Sequence, residues 1–328
     1  MRTLSTSTTA KLFATGFTVG PIVDSLHNQC LLRYDVLPIS LGWPVALQHN
    51  QNALADIATS GGSTSDFIGA SLVDNYPYFF CSSWTVPPLL GFAYVILGGL
   101  LPRIVESILA ATIPNQESQE KSSTRFSVMQ SSSSSSSQQQ LRTRALLAVT
   151  TTAMIIKLSE LLETHSGVFD NYAVLQHNQI EPASLSLLVM IVATIFQWAL
   201  LDRSIVALLV ATVTAIGGPL SELPFVGHGV WTYIEEAANY FPLQNLFPDA
   251  VASAAAIDSN NLLLQISPIL FGTSNYQDLA LSSITGPCYF AVAMDAIALG
   301  RWFDVSTSSS SSSSSLSLKS ILSDDTKI

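Results

Sequence analysis

Asp24 and His27 lie three residues apart in an apolar stretch near the N-terminus. On a helix they share a face, and a carboxylate beside an imidazole pairs a general base with the group that orients it. No nucleophile motif accompanies them: the chain has neither G-x-S-x-G nor H-E-x-x-H, and no second carboxylate pair at a catalytic spacing. The two therefore read as a mutually satisfied polar pair holding an apolar segment in place, with a lipid-modifying membrane enzyme as the alternative. Lys157, Glu160 and Glu163 follow one another at helical spacing, which suits an intrahelical ion pair or a polar floor beneath a lipid headgroup. Asp295 has no partner on its own face, so its partner is expected on another element, with Lys157 and His27 as candidates. Cys30, Cys81 and Cys288 show neither C-x-x-C nor a Cys/His ligand spacing, so no metal and no cofactor are expected.

Asp202 and Arg203 raise a different question, because they interrupt WALLDRSIVALLV inside a tract from Ala183 to Ile216 that holds no other charge. As one helix that tract would reach about 50 Å at ~1.5 Å per residue, too long for a hydrocarbon core of ~30 Å. Cut at Asp202-Arg203 it becomes two lengths that each cross, with the charged pair in a short turn at the membrane surface.

These residues sit in a chain that is 48% hydrophobic and 11% charged, against about 25% charged in globular domains. That composition is that of a polytopic membrane protein. A net charge of −10 leaves no broad basic surface, which excludes nucleic acid as a partner. Hydropathy places six candidate spans at Lys11 to Leu32, Trp84 to Ile104, Arg144 to Leu162, Ala183 to Leu201, Ser204 to Phe225 and Ile284 to Trp302. Trp84, Pro87 and Pro88 open the second, where proline is tolerated because first-turn N–H groups lack helical partners; Trp84 reads as an interfacial anchor or a ligand-lining ring. Gly217-Gly218-Pro219 is expected to kink the fifth span or let a neighbour pack closely.

Basic residues test this layout, since cytosolic flanks attract Lys and Arg. With residues 1–10 cytosolic, that side receives Arg2, Lys11, Arg103, Lys121, Arg125, Arg142, Arg144, Arg203, Arg301, Lys319 and Lys327, the other side only Arg33, and Lys157 lies within a span. The expected fold class is therefore all-α, a six-transmembrane-helix bundle with both termini cytosolic. Its lumenal loops are 33–83, 163–182 and 226–283, its cytosolic loop 105–143, and its cytosolic tail 303–328. Serine tracts at 131–140 and in the tail cannot bury enough apolar surface to offset chain entropy and are expected to be disordered. VWTYIEEAANYF, in the third lumenal loop, suits a short helix lying among the headgroups. No internal repeat supports the alternative of a small-solute or lipid transporter. A Ser/Thr-rich N-terminus free of acids until Asp24 leaves a plastid envelope as the alternative location.

Several stretches, in matching order and membrane position, resemble the INSIG (insulin-induced gene) family of endoplasmic reticulum membrane proteins. They are GFTVGPIVDSLHNQCLLRYDV, SSWTVPPLLGFAYVILGGLLP, FQWALLDRS, HGVWTY and GPCYFAVAMDAIALGRWF, of which W-x-V-P-P and D-R-S are the specific motifs. The resemblance implies a six-span adaptor without catalysis. It would bind a sterol or another apolar lipid and retain or regulate sterol-sensing membrane proteins such as Scap-like and hydroxymethylglutaryl-CoA reductase-like partners. Carried over residue by residue, it makes Asp202, with Arg203 beside it, the partner-binding site, and Trp198 a lining residue of the lipid pocket. Trp84, Lys157 and Glu160 are the remaining lipid-binding candidates. This chain departs from the family at Leu185, which stands for a polar glutamine, and at KLSELLE, which replaces an N-H-A-S segment, so a sterol hydroxyl would meet different partners here.

Overall fold

The computed structural model describes residues 4–28, 32–42, 78–112, 134–164, 182–235, 237–243, 269–272 and 279–324. The chain is mostly helical, and among the described residues four helices are long and apolar enough to cross a membrane: Val86–Thr112, Gln138–Glu163, Ala183–Leu201 and Ile205–Gly227. Cys30 and the side chain of His27 lie outside what is described.

The N-terminal segment forms two helices, α1 (Thr6–Thr18) and α2 (Gly20–Asn28). Ser5 caps α1 by accepting from the Thr8 N–H; Gly20 and Pro21, poor helix-interior residues, follow the break at Val19. Beyond α2 come short strands, β1 (Leu32–Tyr34), β2 (Pro38–Gly42) and β3 (Tyr78–Ser83). The second apolar run is α3 (Val86–Val95), a π-helical turn (Ile96–Leu100) and α4 (Leu101–Thr112). Pro87 and Pro88 occupy the first turn of α3, as expected. Then follow α5 (Ser134–Thr164), α6 (Pro182–Leu201), α7 (Ile205–Gly227), β4 (Trp231–Tyr233) and α8 (Thr285–Asp324).

One expectation is corrected. Residues 231–233 form a strand and not a headgroup helix: β4 pairs antiparallel with β1 across Leu32↔Tyr233 and Tyr34↔Trp231. Alternation explains the choice, since Trp231 and Tyr233 then direct both rings into one apolar cluster with Tyr34 and Leu223. β2 pairs with β3 in a second two-stranded sheet, so the segments after the first and fifth apolar stretches add short strands to a mostly helical chain. Helical backbone begins at Ser134 in α5 and runs to Asp324 in α8.

α8 is the axis of the bundle. Its first half packs on α5, α6, α7, α1 and the π turn, and Ala291, Ala293, Met294, Ala296 and Ile297 are almost wholly buried. Lipid tails are as apolar as leucine, so association between membrane helices depends on close packing more than on the hydrophobic effect. Small residues supply that closeness: a Cβ added at Gly300 would lie 2.0 Å from the Gly98 carbonyl oxygen, and one at Gly98 would lie 2.3 Å from that of Ala296. Gly218 has the same use within the uninterrupted α7, where an added Cβ would strike the Tyr289 ring at 2.4 Å.

The bundle has two distinct ends. At the strand end, β1–β4 joins the segments that follow α2 and α7. At the turn end, the α6–α7 turn, the start of α1, α4 and the middle of α8 converge. Arg301 pairs with Asp202 and Arg103 with Asp304, while the Lys11 ammonium sits 5.8 Å from the Phe303 ring centroid.

Candidate functional site

A cavity of about 130 Å³ lies at the strand end, lined by α2, α3, α5, α7, α8 and the β1–β4 pair. Most of its wall is apolar: Val23, Val86, Leu89, Leu90, Ile156 and Val292. Its polar lining includes two carboxylates, Asp24 and Glu222, and hydroxyls directed at them. Glu222, buried in α7, accepts from Tyr289 at Oε1 (2.7 Å) and from Tyr233 at Oε2 (2.8 Å). Asp24 on α2 accepts from the Tyr34 hydroxyl at 2.9 Å. Burial, followed by the adjacent Glu222 charge, pushes the Tyr233 hydroxyl well above its usual range, so it stays a donor and shares Thr285 Oγ1 at 3.2 Å. The walls are stiffened by rings: Trp231 stacks on Phe225 at 4.7 Å and meets Tyr34 edge-on at 6.3 Å.

Beneath this cavity Tyr94 donates to Asp295 Oδ2 at 2.7 Å, and both residues are almost fully buried. Asp295 is thus partnered from another element, as expected, but by a tyrosine of α3 and not by Lys157. A second buried polar link ties α6 to α5 and α8: Gln197 donates to Thr152 at 2.9 Å, and Thr152 donates to the Ala291 carbonyl at 3.0 Å.

No protein-family model, curated protein or solved structure matches this chain.

Of the sequence-derived candidates, Asp24 lines the cavity, whereas the partner-binding and lipid-binding ones fall around it. Lys157 is exposed and pairs with Glu160 along α5; neither lines the cavity, although their neighbour Ile156 does. Glu163 accepts from Ser282 at 2.8 Å. Trp84 is 66% exposed at the head of α3, the position of an interfacial anchor. Trp198 donates its indole N–H to the Ser204 carbonyl at 3.0 Å and packs on the turn-end core. Asp202 joins Arg301 through Oδ1 and accepts from Ser204 through Oδ2 at 2.5 Å. It does not cap α7; Ser204 does, accepting from the Ala207 N–H at 3.1 Å. Arg203 is exposed with φ +58°, a left-handed conformation normally left to glycine at helix C-termini. Among the described cysteines, Cys81 and Cys288 are free thiols, and burial, aided by Asp24, pushes the Cys81 thiol up.

Glu222, Tyr289 and Tyr94 are the site residues that reading by hydropathy passed over. One signal for Glu222 was present: it is the lone charge between Ser204 and Phe225, and an ionisable group within a span marks a function by default.

Proposed function

We propose that the chain is an INSIG-like membrane adaptor, not a catalyst. It binds a sterol or another apolar lipid in the strand-end cavity and thereby sets its affinity for partner membrane proteins of sterol sensing and synthesis. The observation that carries this reading is that five helices and the β1–β4 pair share one largely apolar cavity. A ligand there touches most of the bundle at once, so its differential affinity for two helix arrangements becomes a difference in partner affinity. The space is close to that of the ~150 Å³ apolar cavity that holds benzene in another protein. It takes a headgroup or one ring, and the rest of a sterol-sized ligand extends toward the bilayer. Arg203 is the residue best placed to meet a partner, because the turn keeps a long charged side chain exposed at a φ that costs a non-glycine residue about 1–2 kcal/mol. Recovering proteins bound to the chain from gently solubilised membranes, with and without added sterol, tests the reading. A partner whose recovery changes with sterol is expected, and the same proteins recovered equally in both would remove sterol from it.

The six-span topology in the endoplasmic reticulum membrane belongs to the same proposal. The β1–β4 pairing supports it, since the segments after α2 and α7 must then share a side of the membrane, as does the meeting of Lys11 with Phe303 at the other end. Glycosylation acceptor sites inserted at 43–77 and at 244–268 are expected to be modified, and one inserted at 131–140 to stay unmodified. Modification of the last would overturn the orientation.

A transporter reading keeps one observation in its favour, the buried carboxylates Glu222 and Asp295 within apolar helices. Solute uptake by the purified chain in liposomes would select it over the adaptor.

A further inference from the structure

At the turn end a second, smaller cleft opens between α5, α8 and the α6–α7 turn, where Arg144, Asp202 and Arg301 meet the apolar side chains of Leu141, Met294 and Ala298. Its volume is about 30 Å³, about twice the ~10–15 Å³ that one water needs, which suits a small polar head and not a hydrocarbon chain. The charges in it do not balance. Asp202 is the one carboxylate among its described lining residues, and Arg301 already holds it through Nη1. Arg144 is exposed and makes no hydrogen bond or ion pair with any described residue. Two guanidiniums and one carboxylate leave one positive charge over. Arg301 also keeps donors to offer: a guanidinium carries five N–H groups, and its Nη2 contact with Ser204 Oγ is long, at 3.4 Å.

A neighbouring cleft that also reaches Arg301 supplies the contrast. There Arg103 and Arg301 face Glu106 and Asp304, and Arg103 is paired with Asp304, so the charges match without a ligand. The first cleft is completed by an anion with enough acceptor oxygens to meet guanidiniums from two helices. A phosphate has them, and it matches the guanidinium fork bidentately. The position of the cleft names the source. Asp202 lies in the turn between two helices that are each long enough to cross a membrane, and Arg144 lies within the first two turns of a third. The cleft therefore opens near the level of the lipid phosphates, where basic pockets between membrane helices hold anionic headgroups.

We propose that the turn-end cleft binds the phosphate of an anionic glycerophospholipid, bridged between Arg144 and Arg301, with the acyl chains passing Leu147. Leu147 is exposed on α5 one turn from Arg144, which gives the chains a way into the bilayer. This site is separate from the strand-end cavity and rests only on these helices crossing a membrane.

The test is equilibrium binding of dioctanoyl phosphatidic acid, dioctanoyl phosphatidylcholine and inorganic phosphate to the full chain in an uncharged detergent, with protein-free micelles as the partition control. Salt is held at about 0.3 M, where attraction between separated exposed charges is screened. Phosphatidic acid is expected to bind at least about tenfold more tightly than the other two, the scale of one charge-assisted hydrogen bond. Arg144→Gln is expected to remove about tenfold of that affinity. Arg142→Gln, exposed two residues away and outside the cleft, is expected to leave it unchanged. Equal losses in the two variants would overturn the site in favour of a diffuse basic surface. Equal binding of phosphatidic acid and phosphatidylcholine to the wild-type chain, a comparison that needs no variant, would overturn it as well. Inorganic phosphate binding as tightly as phosphatidic acid would overturn the lipid as the source of the phosphate.

Discussion

Gly300→Val is expected to prevent recovery of a monodisperse folded chain, whereas Gly217→Ala should leave recovery and unfolding midpoint essentially unchanged. The added Cβ at position 300 would meet the Gly98 carbonyl oxygen at 2.0 Å and its carbon at 2.9 Å. Both are backbone atoms, so no side chain can swing away, and α8 must move bodily off the π turn. Overpacking a tolerant site costs about 1–3 kcal/mol; backbone opposing backbone on the central helix belongs above that range, a large share of a total stability of about 5–15 kcal/mol. The contact is also reciprocal, because Gly98 receives Ala296 in the same way, so relief at one position is not available at the other. Gly217 is the control: nothing lies within 4 Å of its added Cβ, and alanine favours a helix over glycine by up to about 1 kcal/mol. Thermal unfolding in one detergent compares them, with Gly300→Ala as the milder variant. A Gly300→Ala chain as stable as wild type would mean that α8 does not approach the π turn this closely.

Why hydropathy found four of the six expected spans but not their fittings follows from what each depends on. Ala183 to Leu201 was legible to the residue, because length and apolarity alone decide a lipid-facing helix. The neighbouring turn was legible because an adjacent acid and base facing lipid at the middle of a bilayer are costly. The π turn at Ile96–Leu100 was not, since a change of hydrogen-bond register leaves composition untouched. Nor was β1–β4, which joins Tyr34 to Trp231 across most of the chain and looks locally like any aromatic loop. Tyr94 illustrates the same limit within the site. In an apolar run tyrosine counts as a hydrophobe, so a charged group such as Lys157 seemed the better partner for Asp295; the fold instead supplies a neutral donor, which avoids burying a second charge.

Asp202→Ala is expected to destabilise the chain somewhat more than Arg301→Ala, and the double variant by no more than Asp202→Ala alone. Both carboxylate oxygens of Asp202 are engaged, by Arg301 of α8 and by Ser204 of its own turn, and its side chain is only 12% exposed against 38% for Arg301. Truncating an exposed pair costs ~0–1 kcal/mol and a buried one about 3–5; this pair lies between, so about 1–3 kcal/mol is the expected loss for each single variant. Near-complete coupling in the double-mutant cycle is the signature of one shared interaction. Asp202→Asn separates the two contacts, since an amide oxygen still accepts from Ser204 while the ion pair is lost, and it should fall between wild type and alanine. The cycle also bears on how the turn meets a partner. If Asp202 acts by fastening the turn to α8, Arg301→Ala will lose co-purification of the partner as fully as Asp202→Ala does, and Arg203→Ala will lose it at a smaller cost in stability, that of the hydrogen bond its Nε donates to the Ala199 carbonyl at 2.6 Å. If Arg301→Ala keeps the partner while Asp202→Ala loses it, the carboxylate itself makes the contact, and Arg301 must release it when the partner binds.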